Sequence, residues 1–279
     1  MIIDTHTHLF PESMRINRSA FFTDEPEFKL LYESKKSIMA GAEDLLRCMD
    51  EFKVDMAVIC GFPWRNPEWA IMNNDYIIES VKVYPDRLKG LACFDALWEG
   101  AAAETDRCID QGLCGAGELA FYLSGIDRQA LDALTPVMDT LKKRGNLPCM
   151  IHTNEPIGHT YPGKTPVSLK QIYDLAREFP DNRIILAHWG GGLLFYNIMK
   201  KEVKQALKNV WFDTAASPFL YTPEIYSMAR QAGIIDKVLL GTDYPLLKPD
   251  RYLNEIRASG IPEQDIEKIC CHNARDAYF

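Results

Sequence analysis

Residues 183–188 read Arg-Ile-Ile-Leu-Ala-His, RIILAH, an unbroken apolar run that ends in a histidine. A strand with one wet face alternates apolar and polar residues. A run that is apolar throughout has both faces buried, as in a parallel sheet wrapped by helices. The same form recurs along the chain, as in KVLLGTD at 237–243 and PCMIH at 148–152. Eight strands are expected: Ile2–His6, Val54–Cys60, Leu88–Phe94, Cys114–Leu119, Pro148–His152, Arg183–His188, Val210–Thr214 and Lys237–Asp243. From the second onward their starts lie about 26 to 35 residues apart, the spacing of successive βα units. Between them the apolar period becomes helical. Ala130, Leu131, Leu134, Val137, Met138 and Leu141 form one stripe, with Asp127 as its N-cap and Gly145 as its stop. Leu169, Ile172, Leu175, Ala176 and Phe179 form another, closed by Pro180. These units predict an α/β chain folded as a (β/α)8 TIM barrel, with a doubly wound open sheet as the alternative.

No Gly/Ser linker, low-complexity tract or internal repeat interrupts residues 1–279, so a single barrel domain is expected. One unit breaks the rhythm. Thirty-one residues from Phe10 to Ala40 precede the first clear barrel helix, and this long 10–40 loop after the first strand is a candidate lid. Hydrophobic residues make up 47% and charged residues 25% of the chain, ordinary globular usage for a large core. The net charge is −8 with no basic block, which argues against a nucleic-acid partner. No apolar stretch is long enough to span a bilayer and no signal-peptide pattern is found, so a soluble cytoplasmic protein is expected. The eight cysteines are scattered without a C-x-x-C spacing and read as buried free thiols in a reducing compartment.

A TIM barrel builds its active site from the C-terminal ends of its strands. His6 and His8 end the first strand, Glu118 the fourth, His152 the fifth, His188 the sixth and Asp243 the eighth. Four of the six histidines and two carboxylates thus meet at one mouth. His6 and His8, two apart in a strand, project together. Nitrogen and carboxylate donors without thiolate suit a divalent ion, zinc first and manganese or iron next.

The segments DTHTH, GELAF, MIHTNEP, AHWGGG, GTDYP and the terminal CHNARDAYF, in this order, resemble the amidohydrolase superfamily, in its amidohydrolase-related (amidohydrolase 2) branch. That branch includes aminocarboxymuconate-semialdehyde decarboxylase, related aromatic-acid decarboxylases and several lactone hydrolases. The resemblance implies that His6, His8, His152 and Asp243 hold a metal, and that Asp243 and His188 are catalytic, His188 as a base or water-positioning group. Glu118 departs from the decarboxylase pattern. GELAFY is similar to the fourth-strand segment of TatD-like nucleases, in which a glutamate bridges two metals. Glu118 therefore joins His152 and His188 around a second ion, or is a buried glutamate tied to its neighbours, leaving one ion or two.

Four further residues are candidate substrate contacts. Trp64 and Arg65 follow strand two in GFPWRNPEW, a ring wall and a carboxylate partner. His159 and Lys164 lie in HTNEPIGHTYPGK after strand five. The leading reading is a metal-dependent hydrolase, attacking a C–O or C–N bond of a small anionic lactone, ester or amide with metal-activated water. The alternative is non-oxidative decarboxylation of an aromatic or enoic acid. A TatD-like nuclease and a non-catalytic metal-binding subunit rank below both. The expected partner is a small molecule, with a homodimer left open.

Overall fold

The computed structural model describes residues 1–279. Eight strands form where the apolar runs place them: β1 Ile3–His8, β2 Met56–Cys60, β3 Leu88–Gly90, β4 Ala116–Leu119, β5 Cys149–Ile151, β6 Ile184–Leu186, β7 Val210–Asp213 and β8 Val238–Leu239. All adjacent pairs are parallel, in the orders β1-β2-β3 and β4-β5-β6-β7-β8. Helices follow the strands, among them Ala42–Phe52, Pro67–Val83, Arg128–Lys143 and Leu169–Glu178. Asp127 caps the third of these by accepting from the Ala130 amide at 2.9 Å.

Short backbone contacts stitch the two seams of this TIM-barrel arrangement. Gly117 N donates to Ala92 O at 2.8 Å between β3 and β4. Thr5 N donates to Leu240 O at 2.8 Å and Asp243 N to His6 O at 2.9 Å between β8 and β1. Ile3, Val58, Leu91, Met150, Ile185, Trp211 and Leu239 fill the interior, while Ala274, Ala277 and Tyr278 of the last helix plug its lower end. A larger apolar layer lies between strands and helices.

Two register shifts decide what points into the mouth. Asp4 pairs with Ala57 but Thr7 pairs with Ile59, so β1 carries one residue more than β2 across this interval. A one-residue slip moves every later side chain to the opposite face. Ile3 faces the interior, and strict alternation would turn His6 and His8 outward; the bulge turns them in. In β4, Ala116 pairs with Cys149 and Leu119 with Ile151, again one residue extra. Glu118 lies in that bulge. Its neighbour Gly117 has φ +140°, and a Cβ there would stand 2.5 Å from Met150 Cβ and 2.8 Å from Met150 O.

The 10–40 stretch is helical rather than an open loop, with helices Glu12–Ile16 and Pro26–Tyr32 flanking a tight 3-10 turn at Arg18–Phe21. Phe28 is fully buried, with its ring 4.3 Å from Trp64 and 5.2 Å from Phe62 between centroids. Such aromatic packing makes the segment a fixed wall of the mouth. All eight cysteines are free thiols, and seven are buried. No helix is long and apolar enough to cross a membrane.

Candidate metal centre

At the barrel mouth each of four histidines uses one ring nitrogen as a donor to the protein. His6 Nδ1 bonds Asp213 Oδ2 at 2.8 Å, and His8 Nδ1 donates to Gly61 O at 2.9 Å. His188 Nδ1 donates to Ala215 O at 3.0 Å, and His152 Nε2 to Gly163 O at 3.0 Å. Carbonyl oxygens cannot donate, so the proton sits on the imidazole and the other nitrogen presents a lone pair. All four lone pairs face the same space as two carboxylates.

The acceptors fall into two groups. His6 Nε2 and His8 Nε2 are 3.0 Å apart, and Asp243 Oδ1 lies 3.3 Å from His8 Nε2 and 3.8 Å from His6 Nε2. Glu118 Oε1 lies 2.9 Å from His152 Nδ1 and 3.5 Å from His188 Nε2. Glu118 Oε2 lies 3.5 and 3.6 Å from the Nε2 atoms of His6 and His8, so one carboxylate faces both groups. Acceptors packed this closely repel one another unless a proton or cation lies among them. The donor set fits a divalent metal site: imidazole nitrogens oriented from behind by hydrogen bonds, and carboxylate oxygens.

The protonation equilibria carry the same signature. Burial pushes the His6 imidazole pKa down, but the carboxylates of Glu118 and Asp213 outweigh it and raise it well above the usual histidine range. Burial pushes Glu118 up, yet His152 and His6 hold it well below the usual range for a carboxyl. Asp243 is likewise held low against burial, by its bond to His8 and the charges of His6 and His188. The cluster draws positive charge.

Asp213 is the residue that reading the strand ends missed. It ends β7 in WFDT as the other acids end their strands, and it is fully buried. Besides His6 it accepts the His188 amide at 2.9 Å and the Ala215 amide at 3.0 Å. The expected four-residue set of His6, His8, His152 and Asp243 is divided, because His152 turns its free nitrogen to Glu118 instead.

Above the cluster lies a cavity of about 460 Å³ whose walls include Tyr32, Phe62, Tyr122, Tyr161, Phe219 and Leu246. His159 also lines it. Three of the other expected contacts lie elsewhere. Trp64 is completely buried behind Phe28 and donates from Nε1 to Asn73 Oδ1 at 3.0 Å. Arg65 is paired with Glu27 of the 10–40 segment. Lys164 bonds Glu155 Oε1 at 2.8 Å and Ile157 O at 2.9 Å, holding its own loop together instead of facing the cavity. The glycines of HWGGG adopt left-handed φ from +61° to +94° in a tight turn, with Gly191 pressed on Asn154 O.

The family model described as amidohydrolase matches residues 3–279. The chain belongs to the amidohydrolase family. No curated protein matches its sequence significantly. Among solved structures it is similar to a dihydroxybenzoic acid decarboxylase from a Polaromonas species with bound manganese and 2-nitroresorcinol. Identity is 20%, coverage 99% of this chain and 96% of that one, and the TM-score 0.71. It is similar to 5-carboxyvanillate decarboxylase from Sphingomonas paucimobilis at 17% identity, with 99% and 98% coverage and a TM-score of 0.74. It is also similar to 4-oxalomesaconate hydratase from Rhodopseudomonas palustris at 18% identity, 100% and 95% coverage and a TM-score of 0.65. These likenesses confirm the barrel fold. They also overturn the ranking of hydrolysis over decarboxylation, since decarboxylases of carboxylated aromatics recur among these neighbours.

Proposed function

We propose that this amidohydrolase is a metal-dependent, non-oxidative decarboxylase of a small aromatic or enoic carboxylic acid. The observation that carries this reading is an aromatic-walled cavity of about 460 Å³ standing directly on a cluster of metal-ligating acceptors. That volume lies in the range of small-molecule sites, and its ring-bearing walls suit a flat substrate. His6, His8 and Asp243 would hold a divalent ion. Manganese is the first to test, because decarboxylases of similar fold carry it, and zinc or iron also fits these donors. When bound, the ion supplies positive charge that orients the substrate carboxylate and stabilises negative charge on neighbouring oxygens.

The remaining work falls to the chain. Decarboxylation breaks the bond between carbon and carboxyl group, leaves the electron pair on carbon and requires one proton there. Asp243 is placed to exchange that proton: its side chain is 18% exposed, against 8% for Glu118 and none for Asp213. Held against burial well below the usual carboxyl range by His8, His6 and His188, it is ionised at rest and must first take that proton from the substrate or from solvent before passing it to carbon. His188, anchored through Nδ1, keeps its free nitrogen turned to Glu118 and the floor. Tyr122 and Phe62, stacked at 17°, wall the ring space from water. His159, edge-on to Tyr161, faces the outer part of a bound molecule.

The test is a panel of hydroxybenzoic and enoic acids offered to manganese-loaded protein in D2O. The expected result is CO2 release with one deuterium at the vacated carbon. Turnover in which every product retains the carboxyl carbon would overturn the reading.

A further inference from the structure

We infer that the phenol hydroxyls of Tyr32 and Tyr122 set the specificity of this cavity, as a neutral donor pair that confines it to acids with a single carboxylate and an uncharged oxygen substituent. This rests on the preceding reading, in which the reacting carboxylate meets the metal.

The two donors come from distant parts of the chain. Tyr32 ends the helix Pro26–Tyr32, its ring edge-on to Phe10 at 5.3 Å between centroids and its carbonyl accepting from Arg18 at 3.3 Å. Tyr122 follows β4, its ring stacked on Phe62 and 6.0 Å from the ring of His152. Tyr32 meets the same Phe62 edge-on at 6.3 Å. Packing thus fixes both rings in the cavity wall while leaving their hydroxyls without a protein partner. Tyr226 also has an unpartnered hydroxyl, but that one is sealed in the core. Burial raises the Tyr32 phenol to about 12 and that of Tyr122 well above the usual range, so both keep their protons and can donate. Asp243 and Glu118 are among the charges acting on each of them, which places the pair at the metal end of the cavity.

No cation competes for this role. Neither lysine nor arginine lines the cavity. The Lys164 ammonium is caged by Glu155 Oε1 and the carbonyls of Ile157 and His159, at 2.8, 2.9 and 3.3 Å. Arg65 is paired with Glu27, and Arg251 lies behind Phe219, 5.2 Å from its ring centroid, donating to Pro218 O at 3.0 Å. Glu155 does line the cavity, where it accepts from Tyr161 at 2.8 Å as well as from Lys164, and a carboxylate has no donor to offer an anion. A second carboxylate on the substrate would lose its water without gaining a counter-charge. A hydroxyl, methoxyl or carbonyl oxygen needs only a donor.

The experiment is calorimetric binding to the full-length, manganese-loaded protein. The probes are benzoate, the three hydroxybenzoates and the three benzenedicarboxylates. One hydroxybenzoate should bind more tightly than benzoate, and the dicarboxylate substituted at the same position at least about 100-fold more weakly than it, the cost of an unpaired buried group. Tyr32→Phe and Tyr122→Phe keep the rings. Each should weaken that hydroxybenzoate about 3- to 10-fold, the worth of one hydrogen bond, and leave benzoate unchanged. Phe219→Lys changes a wall residue that is 60% exposed and supplies the missing cation. It should raise dicarboxylate affinity about 10-fold, and it tests the inference even should a phenylalanine variant misfold by circular dichroism. Dicarboxylates binding the unaltered protein as tightly as hydroxybenzoates would overturn the inference. So would phenylalanine variants that weaken benzoate and hydroxybenzoate alike or neither, or a Phe219→Lys protein that still rejects dicarboxylates. Binding is read without turnover, so hydroxyl-dependent binding with no CO2 release sinks the proposed reaction alone. An active decarboxylase indifferent to both phenols sinks the donor pair alone.

Discussion

Asp213 Oδ2 stands 2.8 Å from His6 Nδ1, both fully buried, and this one bond decides which nitrogen of His6 faces the metal site. A carboxylate there can only accept, so the imidazole proton is held on Nδ1 and the lone pair on Nε2 points inward. Asp213→Asn tests the dependence. Its amide would donate to Nδ1, moving the ring proton to Nε2, 3.0 Å from the lone pair of His8. The two histidines would then bond each other. Metal affinity is expected to fall about 10- to 100-fold, the usual cost of losing such a supporting partner, as read by titration against a competing chelator. Unchanged affinity would mean that Asp213 does not set the tautomer.

Lys164 separates two ways a lysine can serve a site. Its ammonium is committed to Glu155 and the Ile157 carbonyl, so it acts on the shape of the loop that carries His159 and Tyr161. Lys164→Ala should raise KM several-fold with little change in kcat, and should increase proteolysis within 155–164. A loss confined to anionic substrates, with the loop as resistant as before, would instead restore the direct contact expected from the sequence.

The strand ends were legible because each polar donor directly follows an apolar run, and a barrel leaves such residues only one place to meet. The bulges were not. Alternation from Ile3 turns His6 outward, and nothing in IDTHTH announces the extra residue that turns it in. Trp64 and Arg65 were misread for a related reason. The 10–40 stretch looked like a loop, yet it supplies Phe28 to cover the one and Glu27 to neutralise the other. Polar residues at strand ends can be read locally; what covers them depends on distant chain.

Glu25, in the same stretch, is buried with Oε1 accepting the Asn66 amide at 2.7 Å and Oε2 without a partner. Burial pushes its carboxyl up to about 7 from the ordinary 4.5. The folded state thus binds this proton more tightly than the unfolded state, and stability falls as pH rises from about 4.5 through 7. Glu25→Gln keeps the acceptor and removes the charge. Its melting temperature should match the parent near pH 4.5 and exceed it at pH 8. Parallel curves across that range would rule out a buried, titrating Glu25.

The bulge in β4 can be tested at Gly117. Its φ of +140° is one that L side chains rarely adopt, and a new Cβ would meet the Met150 carbonyl oxygen at 2.8 Å. That oxygen belongs to the backbone of β5, so no rotamer change relieves the clash. Gly117→Ala should therefore cost on the order of 2 kcal/mol from strain of this kind. Shifting the β4 backbone also moves Glu118, whose Oε1 approaches His152 Nδ1 at 2.9 Å. The variant should therefore lose bound metal by elemental analysis as well as melting temperature. Alanine at the neighbouring Ala116 position is native, so Ala116→Gly provides the matched control: it adds flexibility to the same strand without a clash. Loss of stability in Gly117→Ala with full metal content would separate the bulge from the placement of Glu118.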